Sequence, residues 1–177
     1  MIVDLLRKIS SLLEENGIPY MLSGSVALGF YTIARTTRDI DIIVELNQPD
    51  VDKFLAAFHD FFLDDIGIVS EVKRKGIFNI IDKATAFKID FIIRSDSPFG
   101  INEFSRRKCL SLDELNIWVV SLEDLIISKL KWIQDYQSDR QMNDIKNLLL
   151  NPEVDRVYLE DWIQKLKLKT FDIFENE

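Results

Sequence analysis

The sequence predicts an α+β fold in which a small mixed sheet, flanked by helices, is followed by a C-terminal helical region. Two observations lead to this prediction. Short β-prone runs alternate with helical patterns in the first half of the chain, whereas helical spacing dominates from about residue 121 onward. Polar residues with Pro98 and Gly100 lie between the two parts. We therefore expect a catalytic core at residues 1–98 and a mainly helical region at residues 99–177 that completes its cleft.

The individual elements follow from apolar periodicity and from the residues that interrupt it. The expected helices have apolar residues at helical spacing, and they cover residues 2–15, 26–31, 50–62, 121–136, 138–150 and 153–166. The expected strands are short β-prone runs, and they cover residues 18–22, 39–44, 66–72, 77–81, 86–93 and 117–120. The runs between residues 66 and 93 predict a hairpin and a third catalytic strand, and residues 95–100 predict a connector.

Composition indicates an ordinary globular protein of a reducing compartment. Hydrophobic residues make up 47% of the chain and charged residues 29%. No apolar run approaches the roughly 18 residues that span a bilayer, and the charged first turns do not resemble a signal peptide. The one cysteine, Cys109, cannot form an internal disulfide. We expect a cytoplasmic protein with no membrane partner.

The charge balance bears on the kind of partner. Thirty acidic residues against 22 basic ones give a net charge of −8. A protein that binds a long polyanion usually carries the opposite sign. This weighs against a large nucleic-acid interface but not against a nucleotide, whose charge metal ions and a few local bases can neutralise.

Two acidic residues stand two positions apart at the start of a predicted strand. Asp39 and Asp41 are followed by the apolar run Ile42 to Val44, which indicates an inner strand. Side chains alternate between the faces of a strand, so both carboxylates point to one face. An isolated Asp-x-Asp pair is a common accident on exposed strands. Here the apolar continuation favours a site for a divalent metal ion.

A Gly-Ser pair precedes these acids at a predicted junction of strand and helix. Gly24 and Ser25 follow the apolar run Ile18 to Leu22 and precede the helix-compatible run Val26 to Tyr31. Backbone N–H groups at such a junction can receive a phosphate. A phosphate-binding turn next to a metal site indicates a nucleotide as the ligand.

These residues resemble the first motif of the DNA polymerase beta-like nucleotidyltransferase superfamily. That motif is Gly-Ser, a helix, and then a short segment that ends in the Asp39 and Asp41 pair. The most similar members are small bacterial ones, including the AbiEii-type abortive-infection toxins. The family has a third acid on a neighbouring strand, and Asp90 is the candidate here. The resemblance covers roughly residues 18 to 150.

The resemblance extends to two helical motifs of the C-terminal half. The first contains Lys129 and the second Asp144, and the resemblance implies that both belong to the nucleotide-binding site, with Lys129 at the triphosphate. From the sequence pattern alone, Lys129 would extend from the edge of an apolar stripe. Many relatives have Asp-x-x-Asp in the second motif, whereas this chain has Gln141 at the first of these positions.

Other polar and aromatic residues are less informative. Arg35 and Arg38 either contact phosphate or balance the nearby carboxylates, and the sequence does not separate these roles. The only histidine is His59 and the only cysteine is Cys109, which excludes Ser-His-Asp, Cys-His and zinc chemistry. The three tryptophans are interpreted as core or helix-packing residues: Trp118, Trp132 and Trp162.

The predicted mechanism is metal-assisted transfer of a nucleoside monophosphate from an NTP to a hydroxyl group. Asp39 and Asp41 would hold two Mg²⁺ ions, with Mn²⁺ as a substitute, and Asp90 would complete the acceptor-side site. Asp90 would also accept the proton of the acceptor hydroxyl. Gly24 and Ser25 would bind the β- or γ-phosphate, and pyrophosphate would leave.

Three functions follow from this prediction. The first is a toxin-type modifier of RNA, such as a tRNA end, or of a protein, with an antitoxin as a partner. The second is nucleotidylation of a small hydroxyl compound such as an aminoglycoside, which the acidic surface would suit when the acceptor is cationic. The third is a non-catalytic nucleotide-binding regulatory module, for which Gln141 is the argument.

Overall fold

The computed structural model describes residues 2–174. Its α-helices within this range are α1 (Ile2–Glu15), α2 (Gly24–Leu28), α3 (Val51–Ala57), α4 (Asp65–Arg74), α5 (Pro98–Ser105), α6 (Leu122–Trp132), α7 (Asp139–Leu149) and α8 (Arg156–Leu166). Its strands are β1 (Tyr20–Ser23), β2 (Asp39–Val44), β3 (Phe61–Phe62), β4 (Ile77–Asp82), β5 (Lys88–Ile93), β6 (Lys108–Leu112) and β7 (Leu115–Val119). The predicted α+β class, a mixed sheet with helices and a helical C-terminal region, is confirmed.

All seven strands form one mixed sheet in the order β3-β4-β5-β2-β1-β7-β6. Strand β2 is central; it pairs antiparallel with β1 and parallel with β5. Strand β7 pairs parallel with β1, where Leu22 lies opposite Val119. Strands β6 and β7 come from the region after residue 98, so the chain returns to the first sheet before the last three helices begin. The division at residue 98 stays a prediction.

One face of the sheet is covered by an aromatic and aliphatic core. On β2, β4 and β5, every second residue is buried on this face, as the alternation of side chains requires. Phe54 of α3 packs edge-on against Phe78 and Phe91, with ring centroids 5.4 and 5.2 Å apart. Phe58 stacks on Phe54 at 4.4 Å. This packing fixes which face of β2 and β5 remains for the polar residues.

Buried polar contacts connect the helices of the C-terminal region to one another. The Ser121 hydroxyl accepts a hydrogen bond from the Asp124 backbone N–H, which caps α6 as the sequence predicted. The Asp124 carboxylate in turn accepts hydrogen bonds from Arg106 and Tyr158, at 3.1 and 2.5 Å. The buried Asp124 carboxylate of α6 therefore connects the end of α5, where Arg106 lies, with Tyr158 of α8.

The helix expected at residues 50–62 ends at Ala57, and Phe61–Phe62 form β3. Two further sequence predictions about elements were wrong. Residues 66–72 were expected to be a strand, but they lie in α4, where Asp64 caps the helix by accepting from the Gly67 N–H. Ile68 and Val72 are four residues apart and both buried, which is the spacing of a helix face. The β-branched residues of the run suggested a strand. Their intrinsic preference for a strand is weaker than this packing, so the helix forms.

The second error concerns the connector expected at residues 95–100. Ser97 caps a helix there by accepting from the Gly100 N–H, and α5 runs from Pro98 onward. Proline is favoured at the first helical position because its missing N–H has no partner there. Strand β6 was also not predicted. Within residues 2–174, no helix is both long and apolar enough to span a bilayer.

Candidate active site

A row of four polar residues crosses the open face of the sheet. In the observed register, Ser23 of β1 lies opposite Asp41 of β2, Asp41 opposite Asp90 of β5, and Asp90 opposite Asn79 of β4. Residues that pair in register point to the same face. Asp41 and Asp90 therefore lie side by side on the face that the aromatic core leaves open. The next row contains Asp39 opposite Lys88.

Gly24 makes room for the Asp41 carboxylate at the start of α2. Its φ is +60°, in the left-handed region that favours glycine. A Cβ at this position would overlap Asp41 Oδ2. The Ser25 backbone N–H donates a hydrogen bond to the same carboxylate. The predicted phosphate-binding turn thus lies directly against the Asp41 carboxylate.

The surroundings of Asp41 disfavour the ionised form of its carboxyl group. Burial raises the pKa of the Asp41 carboxyl, the negative charge of Asp90 raises it further, and the hydrogen bond from Ser25 opposes both effects. Two neighbouring carboxylates of one sign favour a cation between them. The electrostatics of the pair therefore match the metal-binding role predicted for it.

A lysine supplies positive charge among these acids. Lys88 Nζ lies 2.8 Å from Asp90 Oδ2 and 3.7 Å from Asp39 Oδ1. In residues 2–174, no three His, Cys, Asp or Glu side chains lie close enough together to hold a metal ion. Asp39, Asp41 and Asp90, which were expected to hold the metal ions together, therefore do not form such a group, and Lys88 contacts two of them. Their role as metal ligands stays a prediction.

The donor set nevertheless suits a divalent hard cation. All three acids offer carboxylate oxygens, and oxygen is the ligand that Mg²⁺ and Mn²⁺ prefer. Asp41 and Asp90 already share one face in adjacent register positions. The positive charge that now lies beside Asp39 and Asp90 comes from a flexible lysine that can move aside. The residues present thus fit a metal ion.

Lys129 and Asp144, both predicted for the nucleotide site, form a buried ion pair. Lys129 Nζ lies 2.8 Å from Asp144 Oδ2, and the two residues are 4% and 3% exposed. Burial lowers the pKa of Lys129, and the nearby Arg35 charge adds to this effect. Burial opposes ionisation of Asp144, but hydrogen bonds from Arg35 and Lys129 keep its pKa below the usual value.

Gln141 and Arg35 complete this network. Gln141 Oε1 accepts from Lys129 Nζ at 2.9 Å, so the amide takes the place of the acid that many relatives have. Arg35 contacts Asp144 in a bidentate manner, with Nε to Oδ1 at 2.9 Å and Nη2 to Oδ2 at 2.8 Å. Its Nη2 also donates to the Ser25 hydroxyl at 2.7 Å. The sequence had suggested that Arg35 contacts either phosphate or the neighbouring carboxylates of Asp39 and Asp41, whereas the carboxylate it contacts is that of Asp144.

A cleft of about 570 Å³ opens beside this network. Its lining residues come from β1, α2, β2, β5, α5, α6, α7 and the segments next to them. Those with polar or aromatic side chains include Ser25, Asp41, Arg94, Glu103, Lys129, Lys131, Trp132, Asp135, Tyr136 and Gln141. The volume is in the range of small-molecule sites. Four of the predicted site residues, Gly24, Ser25 and Asp41 from the first half and Lys129 from the second, therefore line one space.

Glu103 is a buried acid in the wall of this cleft that the sequence did not reveal. It accepts a hydrogen bond from the Ser128 hydroxyl at 2.6 Å. Burial, together with the negative charge of Asp124, raises the pKa of Glu103 to about 7. Its helix α5 was expected to be a connector, so the acid had no predicted position. Asn79 and Lys88 were missed too, although alternation along β4 and β5 would have put both on the acid face.

Comparison with known proteins identifies the family. The whole chain, residues 1–177, matches the family described as nucleotidyltransferase of unknown function (DUF6036). The chain belongs to this nucleotidyltransferase family. The recognition of a nucleotidyltransferase from the Gly-Ser and Asp-x-Asp motif is thereby confirmed, as is the prediction of an enzyme. A search of curated proteins found no significant match.

Solved structures of similar fold are nucleotidyltransferases as well. The solution structure of the antibiotic-resistance factor ANT(2'')-Ia has a TM-score of 0.61 and 13% identity over 93% of this chain and 92% of that chain. Lincosamide antibiotic adenylyltransferase LnuA, lincomycin-bound, has a TM-score of 0.56 and 16% identity over 82% and 94%. An antigenic nucleotidyltransferase-like protein from Paracoccidioides brasiliensis has a TM-score of 0.55 and 16% identity over 98% and 96%. At such identities the likeness shows the shared fold.

Proposed function

We propose that this nucleotidyltransferase transfers a nucleoside monophosphate from an NTP to a hydroxyl acceptor and releases pyrophosphate. The observation that carries the proposal is the register of Asp41 with Asp90, beside a glycine that leaves space for the Asp41 carboxylate. Two adjacent acids on an open sheet face, next to a cleft that also contains Lys129, suit a metal-bound triphosphate.

Asp39 and Asp41, with Asp90, are the residues that would hold two Mg²⁺ ions, or Mn²⁺ in their place. When bound, such ions neutralise the phosphate oxygens and orient the attacking and leaving groups at the α-phosphorus. Asp90 lies next to Asp41 and would accept the proton of the acceptor hydroxyl. Lys88 Nζ would have to leave the space between Asp39 and Asp90 for this arrangement to form.

The triphosphate would be bound by groups that now contact each other. The Ser25 hydroxyl accepts from Arg35 and the Ser25 N–H donates to Asp41, so both change partner when a phosphate enters. Lys129 Nζ lines the cleft and can donate to a β- or γ-phosphate while Arg35 keeps Asp144 paired. Asp144 would thus act by positioning Lys129.

Two acceptor classes are compatible with this chemistry. A toxin-type modification of RNA or protein, with an antitoxin partner, is suggested by the resemblance to AbiEii-type proteins. A small cationic hydroxyl compound is favoured by the net charge of −8. The fold neighbours include an adenylyltransferase with lincomycin bound, which is consistent with the second class.

The test is incubation with each of the four NTPs, labelled either at the α- or the γ-phosphate, and Mg²⁺. Total tRNA, total cell protein and a set of aminoglycosides and lincosamides serve as separate acceptor pools. We expect one pool to take up α-label only, with release of γ-label as pyrophosphate. Uptake of γ-label would show a kinase. Binding of NTP without any uptake would favour the non-catalytic regulatory module.

A further inference from the structure

We propose that the cleft wall formed by Trp132 and Tyr136 binds the base of the nucleotide by stacking. This inference rests on the proposed function, because it assigns the part of the NTP that the acids, Ser25 and Lys129 do not contact. It also replaces the interpretation of Trp132 as a packing residue.

Both aromatic rings are presented to solvent at the cleft. Trp132 is 69% exposed and Tyr136 is 76% exposed, and both belong to the lining of the 570 Å³ space. Large aromatic side chains are usually at least half buried, since exposing them forfeits much of their hydrophobic stabilisation. An exposed pair within a concave site is therefore available to a ligand with a flat, polarisable face.

The direction of helix α6 leads from the phosphate end of the cleft to these rings. Lys129 and Trp132 are three residues apart on α6, which is about one turn and about 4.5 Å along the helix axis. Tyr136 follows four residues later, beyond the end of the helix. A nucleotide whose triphosphate reaches Lys129 can thus extend its sugar and base along the same wall.

The position of the acids favours the nucleotide over the acceptor as the occupant. Gly24, Ser25, Asp41 and Lys129 all line the cleft. In the described chain, Asp90, the acid assigned to the acceptor side, is not among its lining residues, and neither is Asp39. The cleft therefore continues from the phosphate-binding residues, and the acceptor would approach from the side of the sheet where Asp90 lies.

Stacking predicts a particular pattern of specificity. Every base has a π face, so an aromatic platform binds all four bases. We expect Trp132→Ala to weaken NTP binding about 10-fold and to leave Mg²⁺-tripolyphosphate binding unchanged, because tripolyphosphate has no base. Tyr136→Ala should act in the same direction.

The experiment is calorimetric titration of the wild type, Trp132→Ala and Tyr136→Ala with Mg²⁺ and the tightest-binding NTP, and with Mg²⁺-tripolyphosphate. Tryptophan fluorescence of the wild type should be quenched by the NTP, and Trp132→Phe should lose that quenching. Trp118→Phe is the matched control, because Trp118 is 37% exposed on β7, outside the cleft lining. Both rings are exposed, so we expect all variants to fold.

The outcomes separate this inference from the proposed function. Unchanged NTP affinity in both alanine variants, with normal binding by the wild type, would overturn the base assignment alone. Equal loss of NTP and tripolyphosphate would also overturn it, since the rings would then support the phosphate site. A wild type that binds neither ligand would refute both proposals.

Discussion

Gly24 has a φ of +60° where β1 passes into α2, and its missing side chain leaves the space that the Asp41 carboxylate occupies. Two separate requirements therefore select glycine at this position. One is the left-handed backbone, which costs other residues roughly 1–2 kcal/mol. The other is the contact with Asp41, whose position determines whether the acids can act together.

Gly17 allows these two requirements to be separated. It has a φ of +63° but nothing within 4 Å of an added Cβ. We expect Gly17→Ala to lower the free energy of unfolding by about 1–2 kcal/mol, and Gly24→Ala to lower it by more and to abolish Mg²⁺-NTP binding. Denaturant unfolding and calorimetric titration of both variants measure this. Equal destabilisation with intact binding in Gly24→Ala would contradict the assigned contact.

Glu103 makes the free energy of unfolding depend on pH. Its pKa is raised to about 7 in the folded protein, from an ordinary value of 4.5. Below pH 4.5 the group is protonated in both states and costs nothing. Between pH 4.5 and 7 the unfolded state loses its proton first, so the protein loses stability as pH rises, by an amount on the order of 3 kcal/mol in total.

We therefore expect Glu103→Gln to stabilise the protein by about 2–3 kcal/mol at pH 8 and by almost nothing at pH 4.5. The amide oxygen can still accept the hydrogen bond from Ser128. Urea unfolding at both pH values measures the difference. Glu160→Gln, at an exposed position of α8, is the control and should have no effect at either pH. If Glu103→Gln raised the free energy of unfolding equally at both pH values, the Glu103 charge would not be the cause of the stabilisation.

At the scale of elements, α6 and α7 are joined by the contacts of Asp144 with Lys129 and Arg35. The carboxylate balances two cations, one on α6 and one in the segment that precedes β2. Removing Asp144 would take this counter-charge from the buried Lys129 and from the half-buried Arg35. Removing Lys129 would leave Asp144 in its bidentate contact with Arg35. The two changes therefore have different consequences.

We expect Asp144→Ala to destabilise the protein by about 3–5 kcal/mol and Lys129→Met by clearly less. Lys129→Met should instead weaken triphosphate binding more than monophosphate binding, because a cation at the β- and γ-phosphates has no contact with a monophosphate. Thermal unfolding and titration with NTP and NMP test both statements. Asp161→Ala removes an exposed pair with Lys165 and should change stability by less than about 0.5 kcal/mol. A larger loss for Lys129→Met than for Asp144→Ala would make Lys129 the main structural residue.

The elements that could be predicted from the sequence were those whose signals are local. The acid strand β2, the Ser121 cap and the amphipathic helix α1 each have a pattern within a few residues. Helix α4 could not be predicted because its β-branched residues favour a strand, and tertiary burial of Ile68 and Val72 decides the matter. Strand β6 is largely exposed, so it lacks the apolar run on which strand prediction depends.

The site residues differ in the same way: some can be placed from a local sequence pattern, and others only from contacts between distant parts of the chain. The placement of Asp39 and Asp41 follows from alternation along one strand, but the position of Asp90 beside Asp41 depends on the register of two strands far apart in sequence. The contact of Lys88 with Asp39 and Asp90 depends on side-chain charges across that register. Trp132 looked like a packing residue because its helix is largely buried, and only the end of α6 exposes it.

At the scale of the whole molecule, one sheet carries the acids and the C-terminal helices close the cleft around them. Strands β6 and β7 extend the sheet on the β1 side, and α6 places Lys129 in the cleft that Asp41 also lines. The net charge of −8 disfavours long polyanions but leaves local cations at the cleft, namely Arg94, Lys129 and Lys131. The architecture therefore suits one bound nucleotide and an acceptor that need not be a nucleic acid.

The central claim is that the strand acids bind an NTP through a divalent metal ion, and calorimetric titration with a non-hydrolysable NTP analogue tests it most directly. The wild type should bind the analogue with Mg²⁺ and fail to bind it in EDTA. Asp39→Asn and Asp41→Asn should remain folded, as judged by thermal unfolding, and lose the metal-dependent binding. Wild-type affinity in EDTA, or Mg²⁺-dependent binding by either variant with wild-type affinity, would contradict the account.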